Sequence, residues 1–223
     1  MGASNQLQVY ALSRCGLARR PNGAKEGVGF MRSIFVIGIV LAIPLTGLAQ
    51  SFLPMDVNDK LNFHLQKSVG PLAILGDAAY AGILQEADTP TEWGQGGRGY
   101  GKRLASTAAC SGIHSAMAFG LDSALHEDPR YFRSVGGSFW HRAGHAFRGT
   151  ILTRTDRGTE TFSVWRFGSA YGAAYLSNQW YPGRLNTVAL GFAEGSLQLG
   201  FDLASNLASE FGPDLKRMVF RRK

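Results

Sequence analysis

The stretch Lys102 to His126, KRLASTAACSGIHSAMAFGLDSALH, constrains the fold more than any other part of the chain. Wound as a helix, its bulky residues Leu104, Ile113, Met117, Phe119, Leu121 and Leu125 point in nearly every direction. A helix that is apolar all round is either a buried central helix or a membrane element. Elsewhere, apart from a few β-branched residues near 150 and 162, nothing alternates with period two. The expectation is all-α: a bundle of five to seven Gly/Ala-rich helices around one central apolar helix.

Local signals place the other helices. Asp56 or Asn58 can cap a short amphipathic helix with Leu61, Phe63 and Leu65 as its apolar members. Pro71 to Leu84 has Pro at a first helical position. Pro90 and five glycines make residues 86–101 a glycine-rich loop. Pro129 ends the central helix, and Ser138 to Leu152 forms another helix with Trp140, Gly144, Phe147 and Ile151 on one side. TRTDRGTE reads as a polar turn, Thr161 to Ser177 as a helix, and Leu185 to Phe211 as the longest helix. Gly168 with Gly172, and Gly191 with Gly195, have the spacing that lets helices approach closely.

The first 49 residues stand apart. Arg32, the apolar run Ser33 to Leu45, and Gly47-Leu48-Ala49 before Gln50 have the layout of a secretory signal peptide over residues 31–49. The run of roughly 13 apolar residues is shorter than the ~20 needed to span a bilayer. Residues 1–30 lack apolar periodicity and read as an over-extended start, leaving 50–223 as one helical domain with a basic C-terminal tail, 216–223. Five of the 23 basic and one of the 16 acidic residues precede Gln50, so the net charge falls from +7 to about +3 in the remainder. A nucleic-acid partner thereby loses its electrostatic basis. Cys110 has no partner cysteine after residue 49, and its Ala and Ser neighbours suggest a buried thiol.

The stretch EWGQGGRGYGKRL, Glu92 to Leu104, contains most of a phosphate-binding loop. Arg103 follows Lys102 where Ser or Thr would hold magnesium, and EADTPTEW is no buried strand. The expectation is therefore no nucleotide, with Trp93 and Tyr100 packing the loop down.

The best constellation for chemistry is His141, His145 and Arg148, at i, i+4 and i+7 on one helix face. Two His one turn apart can chelate a metal, and two His beside an Arg can bind phosphate or carboxylate. His141, His145 and Asp202 are the catalytic candidates, His141 and His145 the metal candidates, and Arg148 and Arg142 the anion-binding candidates. Glu194, Gln198 and Asp202 recur every four residues, with Ser205 and Ser209 continuing the stripe, and read first as a solvated face. Asp122 lies on a narrow polar strip with Ser111 and Ser115 and needs an Arg partner or a function, because an unpaired buried carboxylate is costly. From Leu104 to Leu215 there are eight Arg and no Lys. That composition suits a carboxylate network or contact with phosphate-bearing headgroups.

The strings EWGQGGRGYGKR, HEDPRYFR, RTDRG, NQWYPGR and NLASEFGPDLKR together resemble uncharacterised signal-peptide-bearing proteins of soil bacteria, which implies export. A small-residue helix ahead of YLSNQWYP is similar to the second half of type 2 phosphatidic acid phosphatases, helical proteins that act on lipid phosphates. Their Pro-Ser-Gly-His, Lys-x6-Arg-Pro and Ser-Arg-x5-His-x3-Asp signatures have no counterpart in register here. The nearest string, CSGIH, puts His114 one residue too far along, so no catalytic residue carries over from that family.

These readings lead to an exported, non-enzymatic helical protein of the bacterial envelope, periplasmic or outer-membrane-associated. Its expected partner is an acidic lipid surface or an envelope protein; it is open to homo-oligomerisation and needs no cofactor. The competing expectations are a hydrolase of phosphate-bearing envelope substrates that uses the His/Arg/Asp cluster, and a small helical integral membrane protein.

Overall fold

Asp56 opens the first helix by accepting the amide of Asp59 at 2.7 Å, a cap that stabilises a helix by about 1 kcal/mol. This helix, α1, spans Val57–Val69, and α2, Pro71–Glu86, follows with Pro at its first position. A computed structural model of the chain describes residues 53–134 and 136–220, with the last two side chains excepted. The expected leader 1–30, the signal segment 31–49 and the end of the basic tail lie outside the described residues. Beyond α2 come α3 (Gly96–Ala124), β1 (Glu127–Asp128), α4 (Phe139–Ile151), β2 (Leu152–Thr155), β3 (Glu160–Phe162), α5 (Val164–Ser177) and α6 (Val188–Phe220). The architecture is the expected helical bundle, with α3 central: it packs against α1, α2 and α5, and α6 packs against α5 and α4.

The first correction concerns the glycine-rich stretch. Residues 86–101 are not all loop, because α3 begins at Gly96. Arg103, fully buried, explains the early start. Its guanidinium donates to the carbonyls of Thr89 (2.8 Å), Pro90 (2.9 Å) and Gly94 (2.6 Å), and to Gln85 Oε1 (2.5 Å). One side chain thus fastens the whole turn, and the helix can start directly after it. Gly99 makes room, since a Cβ there would lie 2.1 Å from the Gly94 carbonyl oxygen. Tyr100 donates to the Ala78 carbonyl at 3.1 Å and Trp93 meets Tyr181 at 5.4 Å, so both aromatics pack this region down as expected.

The second concerns strands. TRTDRGTE is a β-hairpin: β2 pairs antiparallel with β3, Leu152 opposite Phe162, and β1 adds to β2, Glu127 opposite Thr155. Gly158, at φ +82°, supplies the left-handed turn residue. The helix expected from Thr161 therefore starts at Val164. Glu127 reaches from β1 to accept the Trp165 amide at 3.2 Å, capping α5 from outside its own segment.

The third concerns α6, which runs through Pro213 to Phe220 instead of stopping at Phe211. Proline removes one backbone donor from that turn. Arg133 (3.1 Å) and Arg142 both donate to the Glu210 carbonyl there, tying the turn to the rest of the protein.

Gly168 and Gly172 of α5 receive Leu121 and Met117 of α3, and Gly191 and Gly195 of α6 receive Tyr175 and Tyr171 of α5. The expected close approach is therefore a fit of large side chains over glycines. Among the described residues no helix is long and apolar enough to cross a membrane.

The distribution of side chains runs against the usual rule. Buried apolar positions are mostly alanine, at 81, 118, 146, 170, 173 and 174, with Trp165 and Leu185. Lys60, Arg103, Asp122, Glu127, Asp128, Arg166 and Glu210 are buried beside them. Leu61 and Leu65 of α1, expected inside, are exposed, while Lys60 and His64 form that helix's buried face.

Candidate functional site

The inward face of α6 carries a polar residue at every fourth position: Glu194, Gln198, Asp202, Asn206, Glu210 and, at the end, Asp214. Its first three members are those expected, with Ser205 and Ser209, to form a solvated face; Asn206, Glu210 and Asp214 are not among them. Glu194, Gln198 and Asp202 are half-buried and Ser205 is exposed, while the stripe continues inward through the buried Asn206 and Glu210, and Phe192, Leu197 and Phe201 face out. A period of four identifies the stripe but not its direction, since either face of an amphipathic helix can be the covered one.

Glu210 is the hub. Its Oε1 accepts from Tyr131 Oη (2.6 Å) and the Ser134 amide (2.7 Å), and lies 3.2 Å from His145 Nδ1. Its Oε2 is 3.4 Å from Arg142 Nε, and Arg142 Nη1 holds Asp214 at 2.5 Å. Tyr131 Oη also meets His145 Nδ1 at 2.9 Å. Burial, reinforced by the Glu210 carboxylate, pushes the Tyr131 phenol above its ordinary range, so it stays protonated and donates. Hydrogen bonding to Asp214 holds the Arg142 guanidinium above its ordinary value.

The expected constellation does not assemble as a unit. His145 joins Glu210, but His141 is exposed at the start of α4, its amide bonded to the capping Ser138 Oγ at 3.3 Å. Arg148 turns to Glu160 at 2.5 Å on the surface. Asp202 lies with Arg166, Oδ2 to Nε at 3.8 Å, and that oxygen has no hydrogen-bond partner. Arg142 is engaged by the carboxylates of Glu210 and Asp214. Among the described residues no three His, Cys, Asp or Glu side chains are grouped to hold a metal ion.

Two further polar centres lie between the helices. His64 Nε2 meets Asp122 Oδ2 at 2.6 Å, both buried, and Lys60 donates to the Asp122 carbonyl at 3.3 Å. Asp122 is thus paired, with a histidine instead of the expected arginine. His114 Nε2 meets Ser169 Oγ at 3.2 Å, and Ser169 also donates to the Arg166 carbonyl. Burial, only partly opposed by Asp202, lowers His114 to about 4, so it is neutral at ordinary pH. Ser169 is fully buried, which denies this pair a substrate. The Cys110 thiol is half-buried, and burial pushes its pKa up.

Most of the arginine bias resolves into carboxylate pairs. Arg130 grips Asp128 with Nη2 at 2.6 Å, Arg148 takes Glu160, Arg166 lies by Asp202, and Arg184 meets Glu92. Beside the hub is a cleft of about 40 Å³, lined by Arg130, Tyr131, His145, Arg148, Arg154 and Glu160 among others. Small-molecule pockets run to ~300–1,000 Å³, so this cleft admits a functional group and not a whole metabolite. The expected residues His145 and Arg148 both line it. Tyr131 and Glu210 carried no local signal: they are 79 positions apart and meet only through the fold.

No protein-family model, no curated protein and no solved structure matches this chain.

Proposed function

We propose that the protein is a non-enzymatic helical component of the bacterial cell envelope that works at a membrane surface without crossing it. The observation that carries this reading is the inverted distribution of side chains. Phe192 (60% exposed), Phe201 (51%), Leu72, Ile74, Leu75 and Trp140 (80%) face outward, while seven Lys, Arg, Asp and Glu side chains among the described residues are buried beside the alanines of the interior. Burying such side chains fully is worth roughly 1.5–3 kcal/mol each. A chain that leaves so many outside has an apolar phase or partner to receive them. The signal-peptide layout of residues 31–49 and the resemblance to exported proteins of soil bacteria support an envelope location.

The hydrolase reading has less support, since His141, Arg148 and Asp202 do not converge and the cleft is small. The test is fractionation of a bacterium expressing the full chain. The protein is expected in the envelope, released from membranes by detergent but not by salt. Recovery in the soluble cytoplasmic fraction as a monodisperse species would overturn the reading.

A further inference from the structure

Helix α4 combines exposed aromatics with basic groups within 13 residues. Phe139, Trp140 and Phe147 are 58%, 80% and 56% exposed, although the sequence would bury the Trp140 to Ile151 side. Phe139 stacks on Phe211 of α6 at 5.0 Å, which holds the aromatic end of α4 rigidly against the bundle. An amphipathic helix with Trp and Phe on one face and cations beside them has the composition of an element that lies in a lipid interface.

The adjoining cleft supplies the charge. Arg130 and Arg154 lie over the Phe132 ring at 5.3 and 4.7 Å, and Arg148 stands beside them at the last turns of α4. The carboxylate facing this cleft is Glu160, joined to Arg148 in an exposed pair. Exposed pairs contribute little, typically under ~1 kcal/mol, so a phosphate can replace Glu160 with small loss. Guanidinium forks match phosphate oxygens bidentately. A volume of about 40 Å³ admits phosphate oxygens while a glycerol and its acyl chains remain outside.

We infer that α4 is the lipid-contacting element, with Trp140 and Phe147 entering the interface while Arg148 and Arg154 take the phosphodiester of an anionic phospholipid. This rests on the membrane-surface reading above and adds to it a face and a headgroup.

The experiment uses the full chain and two vesicle compositions, phosphatidylcholine alone and phosphatidylcholine doped with phosphatidylglycerol, read by co-sedimentation. Wild type is expected to prefer the doped vesicles. R148E/R154E should lose at least about tenfold in affinity for them and little for phosphatidylcholine. W140A/F147A should lose affinity for both. Lipids brominated on the acyl chain should quench wild type more than W140F, which isolates the contribution of Trp140. Circular dichroism melts establish that each variant is folded, and R148K/R154K, which keeps the charge but not the fork, should fall between wild type and the reversal. Vesicle binding by wild type with both double variants unaffected, or with equal quenching of W140F, overturns this inference and leaves the membrane reading standing. Absence of wild-type binding to either vesicle overturns both.

Discussion

Upstream of Asn206, α6 meets α5 through Gly191 and Gly195, which receive the rings of Tyr175 and Tyr171. Downstream, it meets α4 and the preceding loop through Glu210 and Asp214, which hold Arg142, Tyr131 and His145. The first contact depends mainly on shape, with Asp202 3.8 Å from Arg166 as a charged contact, and the second mainly on charge. Their difference teaches that a single helix, with one polar stripe along its length, can be fastened by two mechanisms that respond to different perturbations. Volume changes should damage the upstream half, and loss of a charge should damage the downstream half.

The largest expected effect is Glu210→Ala. The Tyr131 hydroxyl and the Ser134 amide lose their acceptor, and leaving such buried donors unpaired costs roughly 1–3 kcal/mol each, while Arg142 keeps Asp214. Urea unfolding measures this, and a loss under about 1 kcal/mol would erase the contrast between the halves.

Next is acid. His114 titrates near 6.5 when unfolded and near 4 when folded, so the folded state binds fewer protons between those values. Stability is therefore intact above about pH 6.5 and falls as pH drops toward 4, by up to roughly 3 kcal/mol from this group. His114→Gln should flatten that part of the pH–stability curve; an unchanged curve would show that the histidine is solvated.

Gly195→Ala comes third. A methyl group there would lie 2.3 Å from Tyr171 Cδ1, and overpacking of this kind costs about 1–3 kcal/mol. Tyr171→Leu in the same chain should recover part of the loss, whereas it should not rescue Glu210→Ala. The smallest effect is Arg148→Ala, which opens the exposed pair with Glu160 and should change the melting free energy by less than about 0.5 kcal/mol.

How much of this was legible in the sequence depended on whether the signal was local. Asp56, Pro71 and Ser138 announce helix starts because capping is decided within three residues, and all three helices begin there. The strands escaped notice because two to four residues are too few to show a period. The start of α3 at Gly96 was hidden because no side chain caps it; Arg103, further along the same helix, instead fastens the preceding turn by donating to its carbonyls. Direction was the hardest property to read. The Trp140 and Phe147 stripe and the Glu194, Gln198 and Asp202 stripe were both visible as stripes, but which side meets solvent, and that the second continues through Asn206 and Glu210 and not Ser205 and Ser209, is set by the neighbouring helices. At the site, the spacing of His141, His145 and Arg148 was correct as a face of α4, yet only His145 and Arg148 reach the cleft.

The inward stripe of α6 has a consequence for how this protein drifts over generations. In an ordinary domain, exposed positions wander among polar residues while the core stays apolar. If Phe192, Leu197 and Phe201 meet a membrane as proposed, they would exchange one hydrocarbon side chain for another, and Asn206 and Glu210 would resist replacement. A set of descendants would look like a conventional bundle turned inside out. Averaging hydropathy along the chain would hide the inversion, because each turn of α6 contributes one inward polar group and its outward apolar neighbours together.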